Sequence, residues 1–210
     1  MRKGLRQAVH RSERDGCSFA VVPASELSQL LPELRRISAA WLADRNTREK
    51  GFSLGRFEED YIRRFPVAVV RRGGAMVAFA NVWCGGQHEE LSIDLMRFEP
   101  EAPPGVMDYL IVELMRWGAR EGYAWFNLGM APLAGVEPGA LAPIWNRVGA
   151  FIFRHGEQFY HFRGLRAYKE KFSPEWRPRY LAAPGRLALP KAVANIAVLI
   201  SGGLKGVIAK

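Results

Sequence analysis

Residues Leu91 to Arg97, LSIDLMR, set a carboxylate, Asp94, close ahead of a guanidinium, Arg97, inside a short apolar run. If the run is a strand, alternation places Ser92, Asp94 and Met96 on one face and Ile93, Leu95 and Arg97 on the other. Should the strand end near Met96, Arg97 can turn toward the same cleft as Asp94. The two side chains then either close a strand end as an ion pair or face a ligand together. A second candidate is Lys169, in AYKEKF (Ala167 to Phe172): a cation on a short helix within a basic stretch can hold a phosphate. Lys171 can face another way and reads as an exposed lysine. Lys50, Ser53 and Arg56 flank the glycines of KGFSLGR, a loop able to present backbone donors.

Other chemistries find little support. His155 and His161 are too far apart for a single-turn metal pair and no Glu completes a hydrolase pattern, so these two, like His10 and His88, read as packing or surface residues. No metal site is expected. Cys17 and Cys84 cannot form a disulfide framework and neither sits in a CxxC pair, which points to a reducing compartment. Trp41 and Trp117 fall on apolar helix faces and read as core.

The elements that must position these residues follow from periodicity and punctuation. CSFAVVPAS from Cys17 reads as a strand stopped by proline, after which Ser25 caps a helix through Leu30, Leu34, Ile37 and Trp41. Three apolar runs, Phe65 to Val70, Met76 to Trp83 and Leu91 to Met96, are separated by Gly73-Gly74 and Gly85-Gly86, an antiparallel meander. Pro103, Pro104 and Gly105 start a helix with Val106, Leu110, Leu114 and Trp117 on its apolar face, ending near Gly122. Trp125 to Leu128 is a short buried strand. A Gly- and Pro-rich loop follows, then a helix over IWNRVGAFIFRHG, a strand over QFYHFRG and a short helix over LRAYKEKF. The order predicts a mixed α/β domain around one sheet.

With 210 residues, 49% apolar and 24% charged, the chain can build one ordinary core, which excludes disorder and coiled coil. No run nears the roughly 18 apolar residues of a membrane span, and the N-terminus has no apolar signal-peptide centre, so the chain is expected neither to cross a bilayer nor to be exported by itself. Thirty Lys and Arg against 21 Asp and Glu give a net charge of +9, which favours a polyanionic partner. No acidic residue follows Glu175, while Arg177, Arg179, Arg186, Lys191, Lys205 and Lys210 do. Leu187, Leu189, Val193, Ile196, Ala197 and Ile200 make an amphipathic helix in that stretch, suited to a membrane interface, to covering a lipid channel or to packing on the core.

At KGFSLG, VAFANVW, LSIDLMR, WFNLGMAPLAG and GLRAYKEKFSPEWRPRYLA the chain resembles the C-terminal catalytic domain of bacterial phosphatidylglycerol lysyltransferases, the multiple-peptide-resistance or aminoacyl-phosphatidylglycerol synthase proteins. The resemblance runs in order over nearly the whole chain. It implies a GNAT-like (N-acyltransferase) fold, with a central mixed, mostly antiparallel sheet flanked by helices. It also implies a division into a basic linker helix over 1–16, an aminoacyltransferase domain over 17–186 and the amphipathic helix over 187–210. In the family a second GNAT domain and a membrane-spanning flippase precede this domain, and the implied location is the cytoplasmic face of the inner membrane.

The activity implied is transfer of a lysyl or alanyl group from aminoacyl-tRNA to the glycerol hydroxyl of phosphatidylglycerol. That lowers membrane negative charge and protects against cationic antimicrobial peptides. The reaction is a transesterification of an already activated ester, so no cofactor is expected, neither ATP nor metal. By resemblance Asp94 is a candidate base or amine-binding carboxylate, Arg97 a phosphate or oxyanion partner, and Lys169 the third catalytic candidate. Lys50, Ser53, Arg56 and Lys171 are substrate-binding candidates. In a CoA-dependent enzyme of this fold, backbone N–H groups between the central strand and its helix hold the pyrophosphate. Here that junction, FEPEAPPGV, has three prolines without N–H groups and two glutamates, a poor site for acetyl-CoA. Two alternatives are a non-catalytic lipid- or tRNA-binding module and an aminoacyl-tRNA-dependent transferase of the peptidoglycan type.

Overall fold

A two-residue turn, Gly73-Gly74, organises the sheet. Both glycines sit at positive φ, 55° and 86°, which gives a turn whose twist matches that of two antiparallel strands. It joins β2 (Val67–Arg72) to β3 (Ala75–Cys84). The computed structural model describes residues 2–45, 55–131 and 162–180, with isolated positions from 182 to 198. The chain divides into two compact units. One comprises Met1–Arg6 and Leu128–Trp176, the other Gln7–Asn127 and Arg177–Lys210.

The second unit holds a five-stranded sheet in the order of the chain, from β1 (Cys17–Val22) through β2 and β3 to β4 (Glu90–Phe98) and β5 (Trp125–Asn127). The first four strands pair antiparallel, and β4 pairs with β5 in parallel. A parallel pair needs a crossover, which α4 supplies below. This is the mixed, mostly antiparallel sheet expected from the sequence.

In chain order the helices are α1 (Lys3–Arg14), α2 (Leu31–Asp44), the single turn α3 (Glu59–Ile62), the crossover α4 (Val106–Arg120) and, in the first unit, α5 (Phe162–Glu170). Along α1, Leu5, Val9 and Ser12 are buried at helical spacing while its cations stay exposed.

Three sequence expectations are corrected. The helix begun at Ser25 is broken: a 3₁₀ segment over Ala24–Gln29 ends at Leu30, and α2 starts afresh with Pro32 in its first turn, where a missing N–H costs nothing. Ser25 makes no capping bond. In QFYHFRG, Phe162, Arg163 and Gly164 are helical, because α5 begins ahead of LRAYKEKF; the rest of that segment, and the helix expected over IWNRVGAFIFRHG, lie outside the described residues. So does most of the C-terminal helix. Of it, Ala188, Lys191, Ala192, Asn195 and Val198 are helical, with Lys191 and Asn195 exposed.

The third correction concerns β4, which does not end near Met96 but runs to Phe98. Ala80 pairs with Met96 and Val82 with Ile93, so Asn81 alone stands opposite both Asp94 and Leu95. This is a β-bulge, which re-aims every side chain beyond it. Its effect shows in the packing. Leu91 faces α4, where a Cβ on Gly118 would stand 2.8 Å from Leu91 Cδ2. Leu95, which unbroken alternation would put on Leu91's face, instead joins the core of Leu27, Leu31, Leu34 and Ile37 with Val69 and Phe79.

Asn81 holds the bulge. Fully buried, it accepts the Leu95 N–H on Oδ1 at 2.6 Å. An Asn81→Leu substitution keeps the volume but orphans that amide, and is expected to lower the stability measured by urea unfolding by about 1–3 kcal/mol.

Candidate functional site

The bulge decides which side chains share the site. Before it, Ser92 and Asp94 lie on one face, as strand alternation requires; after it, Leu95 and Arg97 lie on that face as well. Gly55 shows the crossing directly, since a Cβ there would stand 2.8 Å from Asp94 Cγ and 2.9 Å from Leu95 Cβ. The sequence brought Asp94 and Arg97 to one side only by ending the strand early. The fold does it by inserting a residue.

Asp94 is fixed by partners that sequence reasoning did not single out. Tyr61, the third residue of α3, donates its hydroxyl to Asp94 Oδ2 at 2.6 Å. Trp83 Nε1 in turn donates to the Tyr61 oxygen at 3.2 Å. Burial and, after it, the bond to Asp94 raise the Tyr61 pKa, so the phenol keeps its proton and remains a donor to the Asp94 side chain. One signal in the sequence pointed here: Phe57, Tyr61 and Phe65 recur at helical spacing. Their rings meet edge-to-face or tilted, Phe57 with Phe79 at 6.1 Å, Tyr61 with Phe65 at 5.1 Å and Phe65 with Trp83 at 6.2 Å.

Arg97 is buried, 9% exposed. Its guanidinium carbon lies 4.1 Å from the centre of the Trp41 ring, and Nη1 donates to Met96 O at 3.1 Å. Trp41 is half-buried and also carries Arg45, at 4.4 Å. The aromatic face compensates a guanidinium taken out of water, so Trp41, read from the sequence as core, is also the seat of Arg97.

Lys169 lies on α5 in the first unit, 7% exposed, with Nζ donating to Met130 O at 2.8 Å. Burial lowers its pKa to about 8. Lys171 is exposed, its Nζ 4.7 Å from the centre of the Tyr168 ring. Arg56 is exposed and ion-paired with Glu58. Lys50 and Ser53 lie outside the described residues. At the β4–α4 junction the Ala102 and Val106 N–H groups are already given to Glu99 O and Pro103 O, and Glu99 pairs with Arg36. His10 pairs with Glu13, and His88 stacks on Tyr123 at 4.6 Å.

At Trp83, which reaches Asp94 through Tyr61, a cleft of about 500 Å³ opens, lined among others by Phe65, Trp83, Glu90 and Ser92. Glu90 Oε1 accepts Asn127 Nδ2 at 3.0 Å, and Ser92 donates to Asn127 O at 3.0 Å. A fixed carboxylate, a ring-backed guanidinium and an aromatic wall on one face can hold a cationic group beside an ester and meet negative charge developing on it.

Comparison with known proteins bears on this arrangement. The family described as phosphatidylglycerol lysyltransferase, C-terminal, matches residues 1–183. The chain is 44% identical over 181 residues to a phosphatidylglycerol lysyltransferase of Bacillus subtilis, covering 85% of this chain and 21% of the relative. It is 34% identical to one of Staphylococcus haemolyticus, over 86% of this chain and 21% of the relative. The chain thus spans about a fifth of the length of these relatives. Among solved structures, the C-terminal domain (DUF2156) of an Agrobacterium fabrum protein described as a lysylphosphatidylglycerol synthetase superposes with a TM-score of 0.81 at 48% identity, covering 97% of this chain and 60% of that one. L-PGS from Bacillus licheniformis gives 0.77 at 42% identity, over 95% and 59%.

The clamp on Asp94 leaves no room at Gly55. In Gly55→Ala the new methyl would press on the Asp94 carboxylate, whose Oδ2 accepts the Tyr61 hydroxyl, and on Leu95 Cβ, which is held directly by the strand. Overpacking of this kind is expected to cost about 1–3 kcal/mol in a thermal melt, whereas Gly73→Ser in the open turn leaves the Asp94 contacts intact.

Proposed function

Because the chain belongs to the family of phosphatidylglycerol lysyltransferase C-terminal domains, we propose that it moves an aminoacyl group from aminoacyl-tRNA to phosphatidylglycerol. What carries the reading, beyond family membership, is the bulge that brings Asp94 and Arg97 to one face. Asp94, whose carboxylate accepts the Tyr61 hydroxyl, suits an ammonium grip better than proton abstraction: it takes the α-ammonium of the aminoacyl ester. Arg97, backed by Trp41, meets the oxyanion of the tetrahedral intermediate or a substrate phosphate. The glycerol oxygen bonds to the ester carbonyl carbon, the bond from that carbon to the ribose oxygen breaks, and the hydroxyl proton ends on the departing ribose oxygen.

Lys169 serves in the first unit as a cation for a phosphate of either substrate, with Lys50, Ser53, Arg56 and Lys171 as further contacts. No helix among the described residues is long and apolar enough to cross a membrane. The chain works at the cytoplasmic surface of the membrane, with a preceding GNAT domain and a flippase as its companions in the family's architecture. Its product, a lipid of reduced negative charge, lessens the attraction of cationic antimicrobial peptides. The 1–16 linker, the 17–186 transferase domain and the 187–210 interfacial helix are the matching division of labour.

A radiolabelled aminoacyl-tRNA assay with phosphatidylglycerol vesicles tests this. Asp94→Ala and Arg97→Ala are each expected to lower kcat/KM by about 100-fold or more. Unchanged turnover in both refutes the site, and vesicle binding without product in the wild type points to the binding module instead. The pH profile checks Lys169. Its positive charge is complete below a pKa of about 8 and is lost as pH rises through it, so substrate binding is expected to weaken above about pH 8 and to stay level in Lys169→Arg, whose guanidinium holds its proton throughout.

A further inference from the structure

The cleft at Trp83 is lined by a carboxylate, Glu90, that the proposed reaction does not use. Glu90 and Asp94 lie on one strand, β4, ahead of the bulge and four positions apart, so their backbones are about 13 Å apart at the strand rise of about 3.3 Å per residue. Both stand on the same face. Glu90 lines the cleft with Ser92 and Trp83, and Trp83 reaches Asp94 through Tyr61. Each carboxylate is fixed by one neutral donor on one oxygen, Tyr61 on Asp94 Oδ2 and Asn127 on Glu90 Oε1. In each case the other oxygen has no hydrogen-bond partner among the described residues.

A lysyl ester carries two ammonium groups about 7 Å apart when extended, and each sits about 3 Å from a carboxylate oxygen in a charged hydrogen bond. With the two contacts added, that length asks for carboxylate oxygens about 13 Å apart, which two side chains on one face can meet from backbones about 13 Å apart. Between them the Trp83 side chain, 45% exposed, offers an apolar wall to the methylene chain and a ring face to the terminal cation. The other charge lining the cleft, Arg64, is 3.2 Å through Nε from Asp60 O.

Resting on the transfer reading above, we infer that Glu90 is the specificity-determining residue: it takes the side-chain ammonium of a lysyl group whose α-ammonium is held by Asp94, with Trp83 beneath the chain. An alanyl group has nothing to offer Glu90 and leaves the cleft unfilled.

Calorimetric titration with L-lysine methyl ester and L-norleucine methyl ester tests this without any transfer step, since the two differ only in the terminal ammonium. The lysine ester is expected to bind the wild-type protein about tenfold more tightly, and Glu90→Gln, checked for folding by circular dichroism, to bring the two within about twofold. Equal affinities in the wild type, a preference that survives Glu90→Gln, or no binding of the lysine ester at millimolar concentration overturns the assignment. The transfer assay answers separately: a wild-type protein that passes alanyl as readily as lysyl groups to phosphatidylglycerol keeps the reaction and loses the role of Glu90. No transfer of either group, with lysine selectivity intact, does the reverse.

Discussion

One hydrogen bond, from the Leu95 amide to the Asn81 side chain, sets the geometry on which the rest depends. It lets a single residue of β3 stand opposite two of β4, and every side chain after that point changes face. Without the inserted residue, Leu95 would leave the α2 core and Arg97 would turn away from Asp94. The pairing of the sheet and the placement of Asp94 and Arg97 on one face are therefore set by the same amide. A buried acceptor is costly to lose in this position because nothing else nearby can satisfy the donor.

Around that point neutral groups help to set the position of the charged side chains. Asp94 is held by a phenol that keeps its proton, itself held by an indole. Arg97 is held by a ring and a main-chain carbonyl. Neutral partners of this kind orient a charge without cancelling it, which is what a group needs if it is to meet charge on a substrate. Lys169 follows the same logic in the other unit: desolvation lowers its pKa to about 8, and Met130 O fixes its nitrogen.

Much of this was legible in the residues. Glycine pairs marked the meander, Pro103 to Gly105 marked the start of the crossover helix, and the quoted motifs pointed to the family and to Asp94, Arg97 and Lys169. What escaped was long-range. Pro32 signals a helix start as readily as a helix break, and only its place after the turn at Leu30 decides between them. The alternation in QFYHFRG is too short to outweigh a helix that takes in its last residues. The bulge depends on Asn81 meeting an amide fourteen positions away, which no local pattern encodes. Tyr61 and Trp83 come to Asp94 from different elements, and their meeting exists only once β3 and β4 are paired.

The central claim is that the bulge makes Asp94 and Arg97 work as one unit on one substrate. The most direct test is a double-mutant cycle on kcat/KM for aminoacyl transfer to phosphatidylglycerol, with Asp94→Ala, Arg97→Ala and the pair together. Residues acting as a unit give a double variant little worse than the poorer single one. Losses that multiply independently would contradict the account.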